Sequence, residues 1–150
     1  MTSLGDPAVR EFLSTGTRTG MLGFTASDGR PLIAPVWFVL DERTADDGGA
    51  DLRIAFNTGA DTAKGRALQR DPRVVLCVDL PEPPYAFVQV QGRVQISDDL
   101  DEVRRIATAA GGRYMGADRA EEFGARNGVP GELVVWIEPV KVIASLDVSA

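Results

Sequence analysis

The sequence predicts a mainly β protein in which an antiparallel barrel carries peripheral helices. Six or seven short segments are apolar or alternate between apolar and polar residues, as strands do. The connections between them are mostly of hairpin length, whereas parallel strands would need a helix after nearly every strand. A chain of 150 residues has the length of one domain. We therefore expect a single domain, residues 1–150, built on a six- or seven-stranded antiparallel barrel.

The composition excludes several classes of function. The 16 basic and 22 acidic residues leave a formal net charge of -6, which opposes binding to nucleic acid. With no histidine and one cysteine, Cys77, the chain lacks the parts of a Ser-His or Cys-His nucleophile and of a zinc cluster. No secretory signal or membrane-spanning run is recognisable, so we expect a cytoplasmic protein with no membrane partner. A cofactor that brings its own reactivity is the favoured source of any chemistry.

The first elements are a short helix and a hairpin. Asp6 and Pro7 suit the start of a helix that ends by Gly16. The helix has apolar residues at Val9, Phe12 and Leu13.

The turn signal Asp28-Gly29 predicts a hairpin between strands at Arg18–Ala26 and Leu32–Leu40. The acidic, glycine-containing stretch Asp41–Asp51 predicts a solvated loop that does not touch the core. Leu52–Thr58 alternates as the third strand.

The middle of the chain predicts a helix and two further strands. Asp61 is placed to cap a short helix over Thr62–Gln69, which Asp71-Pro72 ends. Arg73–Leu80 is a nearly continuous apolar strand, and Tyr85–Ile96 alternates with a strict period of two.

The last third predicts two helices and two strands. Ser97–Asp99 caps a helix whose apolar side runs to Ala110 and which Gly111-Gly112 ends. A further short helix is expected around Asp118–Ala125. The predicted closing strands are Leu133–Glu138 and Val140–Leu146.

The candidate cofactor site is the passage from a strand through Gly59 into a helix. A helix N-terminus presents unpaired N–H groups to an anion. Thr62 would add a hydroxyl, and Lys64 and Arg66 would add positive charge. From spacing alone, the favoured interpretation is the plainer one, in which Asp61 caps a helix and both cations are solvated.

Two strands carry side chains suited to a ring system. The strand around Trp37 is apolar on both faces, which favours either deep burial or docking against a second subunit or a ring. Gln89 and Gln91 lie on the polar face of the Tyr85–Ile96 strand and could donate to a heterocycle. Packing for the tryptophan and solvent exposure for the glutamines are the simpler alternatives.

Four motifs follow one another along the chain. Asp28–Pro31 leads into Pro35–Phe38, and Phe56–Thr58 leads into Lys64–Arg73. In this order they resemble the pyridoxamine 5'-phosphate oxidase-like split β-barrel superfamily over nearly the whole chain. The further runs Lys64–Val74, Val90–Val94 and Arg113–Gly116 are similar to the actinobacterial flavin/deazaflavin oxidoreductases of the B group. Many of those proteins use coenzyme F420.

The resemblance implies the FMN-binding type of split barrel and a homodimer with cofactor sites at the subunit interface. It implies that the segments Ala34–Trp37 and Phe56–Thr58 flank a tricyclic ring, while Thr62 and Lys64 hold the adjacent phosphate. Many relatives carry arginine at the position of Thr62. In this chain, neutralisation of the phosphate charge would therefore depend more on Lys64 and Arg66. The candidate cofactor-binding residues are Ala34, Pro35, Val36, Trp37, Phe56, Asn57, Thr58, Thr62, Ala63, Lys64, Arg66 and Gln91.

The implied activity is hydride transfer from reduced F420 to a conjugated small-molecule substrate, and no side chain is assigned as catalytic. An FMN-dependent oxidoreductase is one alternative. A carrier that binds flavin, deazaflavin or haem without turnover is another. The basic and aromatic C-terminal motif of proteins that oxidise pyridoxamine phosphate is not found between Trp136 and Leu146, so that activity is not expected.

Overall fold

Seven strands and four α-helices form the part of the chain that the computed structural model describes, residues 1–149. A 3-10 turn at Ala117–Arg119 precedes the last helix. In chain order the elements are α1 (Pro7–Ser14), β1 (Gly20–Thr25), β2 (Pro31–Val36), β3 (Val39–Thr44), β4 (Ala50–Gly59), α2 (Ala63–Arg70), β5 (Arg73–Asp79), β6 (Phe87–Ser97), α3 (Leu100–Met115), α4 (Ala120–Asn127) and β7 (Glu132–Ser145).

All seven strands belong to one antiparallel sheet with the order β2-β1-β5-β6-β7-β4-β3. The edge strands β2 and β3 are separated along the chain only by Trp37 and Phe38. The two edges must therefore lie near each other, and the sheet curls into a barrel that is open between them. The predicted mainly β antiparallel barrel with peripheral helices is confirmed, with seven strands.

The barrel interior and one outer face hold separate apolar clusters. The interior includes fully buried residues such as Phe38, Phe56 and Leu76. On the outside, α3 covers part of β4 and β7 through a smaller cluster. Its buried members are Ala55, Val103, Ile106, Val134 and Trp136.

The prediction of one strand over Leu32–Leu40 is wrong. The segment is two strands on opposite edges of the sheet, with a crossing at Trp37 and Phe38. Its apolar residues on both faces reflect this division, because β2 buries one face in the barrel core, whereas β3 packs Leu40 against that core and Val39 against the cluster under α3. Ile33 on β2 is 67% exposed, whereas Phe38 at the crossing is fully buried.

The prediction of a solvated loop over Asp41–Asp51 is also wrong, because β3 continues to Thr44 and β4 starts at Ala50. Asp41, in β3, is buried although it is acidic. It tolerates burial because hydrogen bonds satisfy its charge. Both Asp41 carboxylate oxygens accept hydrogen bonds from Arg105, at 2.8 and 2.9 Å, and Trp136 Nε1 donates to one of them at 2.9 Å.

Two predicted interruptions are absent from residues 1–149. Helix α3 passes through Gly111 and Gly112 to Met115, and Gly111 allows Phe123 of α4 to approach closely. The two closing strands are one strand, β7, in which a register shift opposite Gly92 accommodates Pro139. The proline has no N–H, so it is tolerated where the regular ladder is interrupted.

Candidate functional site

A cavity of about 290 Å³ opens where the end of β2 meets helices α2, α3 and α4. Its wall is formed by six elements, β2, β4, α2, α3, α4 and β7, together with the crossing at Trp37. The cavity therefore exists only in the folded barrel. The lining residues are Pro35, Val36, Trp37, Asn57, Lys64, Ala107, Ala110, Asn127 and Glu132.

Trp37 is held in the cavity wall by aromatic neighbours. Its ring stacks on Tyr114 with centroids 5.2 Å apart and planes 6° apart, and Phe123 meets it edge-on at 6.1 Å. The indole remains 38% exposed. One part of the ring is therefore fixed by packing while another part is available to a ligand.

The end of α3 fixes the chain crossing that carries Trp37. The Tyr114 hydroxyl accepts from Phe38 N at 3.2 Å and has the Arg18 carbonyl oxygen at 3.0 Å as an acceptor. Arg113 donates to the carbonyl oxygens of Leu13, Gly16 and Phe38. The bonds to Phe38 satisfy backbone groups at the crossing, and the bonds to Leu13, Gly16 and Arg18 tie the end of α3 to the segment around the end of α1. Together they fix the backbone next to Trp37.

Lys64 is presented by a tight turn between β4 and α2. The N-cap of α2 is Thr62, not Asp61 as the sequence predicted, because the Thr62 hydroxyl accepts from Gly65 N at 3.0 Å. The same hydroxyl donates to the Gly59 carbonyl oxygen at 2.8 Å. A Cβ atom at Gly65 would collide with that carbonyl oxygen, so the turn requires glycine there.

Lys64 and Glu132 are the ionisable residues among those that line the cavity. Burial lowers the pKa of Lys64, and the negative charge of Glu132 opposes this shift. Burial also raises the pKa of Glu132, and Lys64 opposes that shift in turn. The two groups thus influence each other across a partly desolvated space.

Asn57 is oriented by its own hydrogen bonds. Its side-chain nitrogen donates to the Val103 carbonyl oxygen at 3.1 Å, which directs the amide donor toward α3. The side-chain oxygen remains as the group that could accept a hydrogen bond from a ligand.

The structure brings five of the predicted site residues together in this cavity and separates the others from it. The five are Pro35, Val36, Trp37, Asn57 and Lys64.

Among the others, the side chain of Phe56 lies in the barrel core, so only its backbone could meet a ligand. Thr58 is buried beside Thr62, which is itself engaged in the turn. Ala34 is half-buried against the core.

Three predicted residues lie elsewhere on the surface. Ala63 and Arg66 line a separate depression on the other side of α2, and Arg66 donates to the Asp61 carbonyl oxygen at 2.7 Å. Gln91 lies in a larger groove of about 750 Å³ on the outer face of β1, β5 and β6. Its side chain donates to Gln89 at 2.9 Å.

Sequence reasoning missed Glu132, Asn127 and the alanines of α3. Glu132 is the first residue of β7 and stands opposite Gly59 in the sheet. Only the pairing of β4 with β7 brings it to the turn that presents Lys64, so no local signal identifies it. Tyr114 lies in a run that the resemblance singled out, but without a role.

Taken together, the curled seven-stranded sheet and the cavity between its open edge and the helices define an antiparallel split barrel with a candidate ligand site. The sequence matches the family model "Pyridoxamine 5'-phosphate oxidase" over residues 6–145. The chain belongs to that family. No curated protein matches it.

Solved structures agree with this fold. A conserved hypothetical protein from Mycobacterium tuberculosis is 21% identical, with a TM-score of 0.78, and the match covers 99% of this chain and 87% of that one. An F420 reductase is 23% identical, with a TM-score of 0.65 and coverage of 89% and 94%. A haem storage protein from Vibrio cholerae is 12% identical, with a TM-score of 0.69 and coverage of 97% and 98%. At these identities the likeness concerns the fold alone.

Within residues 1–149, every helix is too short or too polar to cross a bilayer.

Proposed function

We propose that this protein is an oxidoreductase that binds the deazaflavin coenzyme F420 and transfers a hydride to a conjugated small molecule. The observation that carries the proposal is the meeting of Lys64 with Trp37 and Pro35 in one cavity. A cation for a phosphate and an apolar surface for a ring are the two features that such a coenzyme needs. The family match and the resemblance of the Lys64–Val74 run support the assignment.

The residues of the cavity fit the phosphate end of the coenzyme. Lys64 lies in the first turn of α2, where the helix dipole also favours an anion. No carboxylate lies within 4.0 Å of its ammonium group in the described part of the chain. A half-buried lysine without such a partner gains more from a bound anion than a solvated one does.

The fit of the ring is partial within one chain. A cavity of about 290 Å³ is at the lower limit of pockets that enclose a drug-sized ligand, about 300 to 1,000 Å³. A coenzyme with a tricyclic ring and a long tail would extend beyond it. We therefore infer that a second copy of the chain completes the site.

The outer face of the sheet offers a surface for that second copy. An uncovered row crosses five strands, and neighbouring members are paired in the sheet. The row is Pro35, Met21, Cys77, Gln89 and Ile143. Pro35 also lines the cavity, so a subunit docked on the row would reach the cavity mouth.

In the proposed mechanism, the chain binds and orients the coenzyme and the substrate, and its own side chains do not react. The reduced deazaflavin, when bound, supplies the hydride from C5 of its ring. Lys64 holds the phosphate, while Trp37, fixed by Tyr114, supports the apolar side of the site and excludes water. Solvent would provide the proton that completes the reduction of the substrate.

Direct binding and turnover measurements test the proposal. We expect F420 to bind more tightly than FMN in parallel fluorescence titrations. Reduced F420 should be reoxidised when the protein and an enone or quinone are both present. Stoichiometric FMN in the purified protein, together with tighter FMN binding, would contradict the choice of coenzyme.

A carrier without turnover is the second candidate, and the haem storage protein among the structural neighbours is the observation that favours it. This chain has no histidine, so a haem iron would need a cysteine, tyrosine or methionine as its axial ligand. Tight binding of F420 without reoxidation by any enone or quinone tested would favour a deazaflavin carrier. A haem complex with a stable Soret band would favour a haem carrier.

A further inference from the structure

The cavity contains an acid that the proposed phosphate site does not require. Glu132 begins β7 and pairs with Gly59, the residue that opens the turn into α2. A Cβ atom added to Gly59 would lie 3.1 Å from Glu132 Oε2, so the carboxylate rests against this turn. It is therefore at the same end of the cavity as the helix that carries Lys64.

The surroundings leave Lys64 as the charged group that faces this carboxylate. From Asn57 to Gly59, strand β4 presents no charged side chain. Helix α3 contributes Ala107 and Ala110 to the lining, and α4 contributes the amide of Asn127. Asp61, in the turn before α2, is exposed to solvent. An anion bound to Lys64 would thus come under the influence of one nearby negative charge.

We propose that Glu132 determines which phosphate the site accepts, by opposing a doubly charged phosphate on Lys64 more strongly than a singly charged one. This inference rests on the proposed function. A phosphomonoester carries a charge of about -1.5 to -2 at pH 7, because its second pKa is about 6. A phosphodiester carries a single charge. FMN presents a monoester, whereas F420 presents a diester.

The physical basis is repulsion in a partly desolvated site. Like charges disfavour each other, and burial weakens the screening by water. The raised pKa of Glu132 means that the carboxylate takes up a proton more readily than an exposed one. Binding of an anion should therefore be accompanied by proton uptake at Glu132, and it should become tighter as the pH falls.

The test compares F420 and FMN binding to the wild type, to Glu132→Gln and to Glu138→Gln at pH 7.5. Glutamine keeps the shape of the side chain and removes its charge. We expect Glu132→Gln to tighten FMN binding by about tenfold and F420 binding by about threefold or less, as removal of one nearby like charge would. Glu138, exposed on the same strand and bonded to Gln95, is the matched control and should change both affinities less than twofold.

A pH profile gives a second, independent readout. F420 binding by the wild type should tighten between pH 8 and pH 5.5, whereas Glu132→Gln should lose most of this dependence. Glu132→Asp should restore part of it. These profiles follow binding, so they do not depend on turnover.

The outcomes separate this inference from the proposed function. An unchanged ratio of the two affinities in Glu132→Gln, or weaker binding of both ligands, overturns the role of Glu132. Failure of FMN to bind either the wild type or Glu132→Gln overturns it too. Tighter FMN binding in Glu132→Gln, with no F420 binding by the wild type, supports the role of Glu132 and rejects F420 as the coenzyme.

Discussion

At the residue scale, Lys64 is the side chain on which the proposed site depends most. It is one of two lysines in the chain and lies half-buried at the start of α2. Replacing Lys64 with alanine removes one charge-assisted contact, worth about 1.5 to 3 kcal/mol, so F420 affinity should fall about ten- to a hundredfold. A fluorescence titration measures this loss, and circular dichroism should show unchanged folding.

Lys141 is the control for overall charge. It is exposed on β7 and does not line the cavity with Lys64. Lys141→Ala should leave the affinity for F420 within about twofold, as a solvated cation does. Equal losses in both variants would mean that long-range electrostatics, and not a specific contact, attracts the ligand.

Asp41 is a buried charged residue whose pairing stabilises the fold. Its side chain is 6% exposed and pairs with Arg105, which is itself 45% exposed. Asp41→Asn should lower the free energy of unfolding at pH 7 by about 2 kcal/mol, because Arg105 and Trp136 lose a charged partner while Arg105 keeps access to water. Urea denaturation at pH 7 measures the difference.

The same substitution has a defined pH dependence. The hydrogen bonds from Arg105, followed by that from Trp136, keep the pKa of Asp41 below its usual value despite burial. The stabilisation is therefore fully present above the pKa that Asp41 has in the unfolded chain. It is lost as the pH falls through the lower pKa that Asp41 has in the folded protein. The free energies of unfolding of the wild type and of Asp41→Asn should converge in acid.

Asp28 is the control, because it pairs with Arg30 at an exposed hairpin position. Asp28→Asn should leave the free energy of unfolding at pH 7 measurably unchanged.

At the element scale, the packing of α3 against α4 depends on Gly111. A Cβ atom there would lie 2.5 Å from Phe123 Cβ. Gly111→Ala should destabilise the fold by about 1 to 3 kcal/mol through overpacking, partly offset by about 1 kcal/mol of better helix propensity. Because Phe123 also contacts Trp37, the tryptophan fluorescence of the folded protein should change as well.

Gly112 provides the matched substitution one residue later. A Cβ atom at Gly112 would lie 3.3 Å from Ala120 Cβ, a contact that a small shift relieves. Gly112→Ala should therefore stay within about 1 kcal/mol of the wild type in thermal or urea unfolding. Equal destabilisation by both alanines would contradict the specific role of Phe123.

At the scale of the whole molecule, the uncovered outer face of β2, β1 and β5 supports the proposed homodimer. Ile33 and Met21 are exposed on this face, and Ile33 is 67% exposed. Ile33→Glu should shift the protein toward a 16 kDa monomer in sedimentation at micromolar concentration, because a charge would be buried in the interface. F420 affinity should fall with the dimer if the site is shared.

Leu100→Glu is the control for an exposed apolar residue outside this face. Leu100 begins α3, where an added acidic side chain suits the helix dipole. This variant should keep the wild-type sedimentation. A wild type that is a stable monomer at micromolar concentration would remove both the dimer and the shared site.

Elements with local sequence patterns could be predicted without the structure. The alternation along β6, the proline at the start of α1 and the Asp28-Gly29 turn identify their structures because the relevant interactions lie within a few residues. The excluded chemistries also follow directly from composition, since a chain without histidine cannot use one. The passage through Gly59 into the Lys64 helix was identified for the same reason, although its cap is Thr62.

Features that depend on residues far apart in the chain became visible in the folded structure alone. Asp41 looks like a loop residue until Arg105, 64 positions away, satisfies its charge. Leu32–Leu40 looks like one strand until the end of α3 binds the backbone of Phe38. Glu132 reaches the cavity of Lys64 only because β7 pairs with β4. In each case the deciding free energy comes from burial and hydrogen bonds between segments far apart in the chain, which no local pattern records.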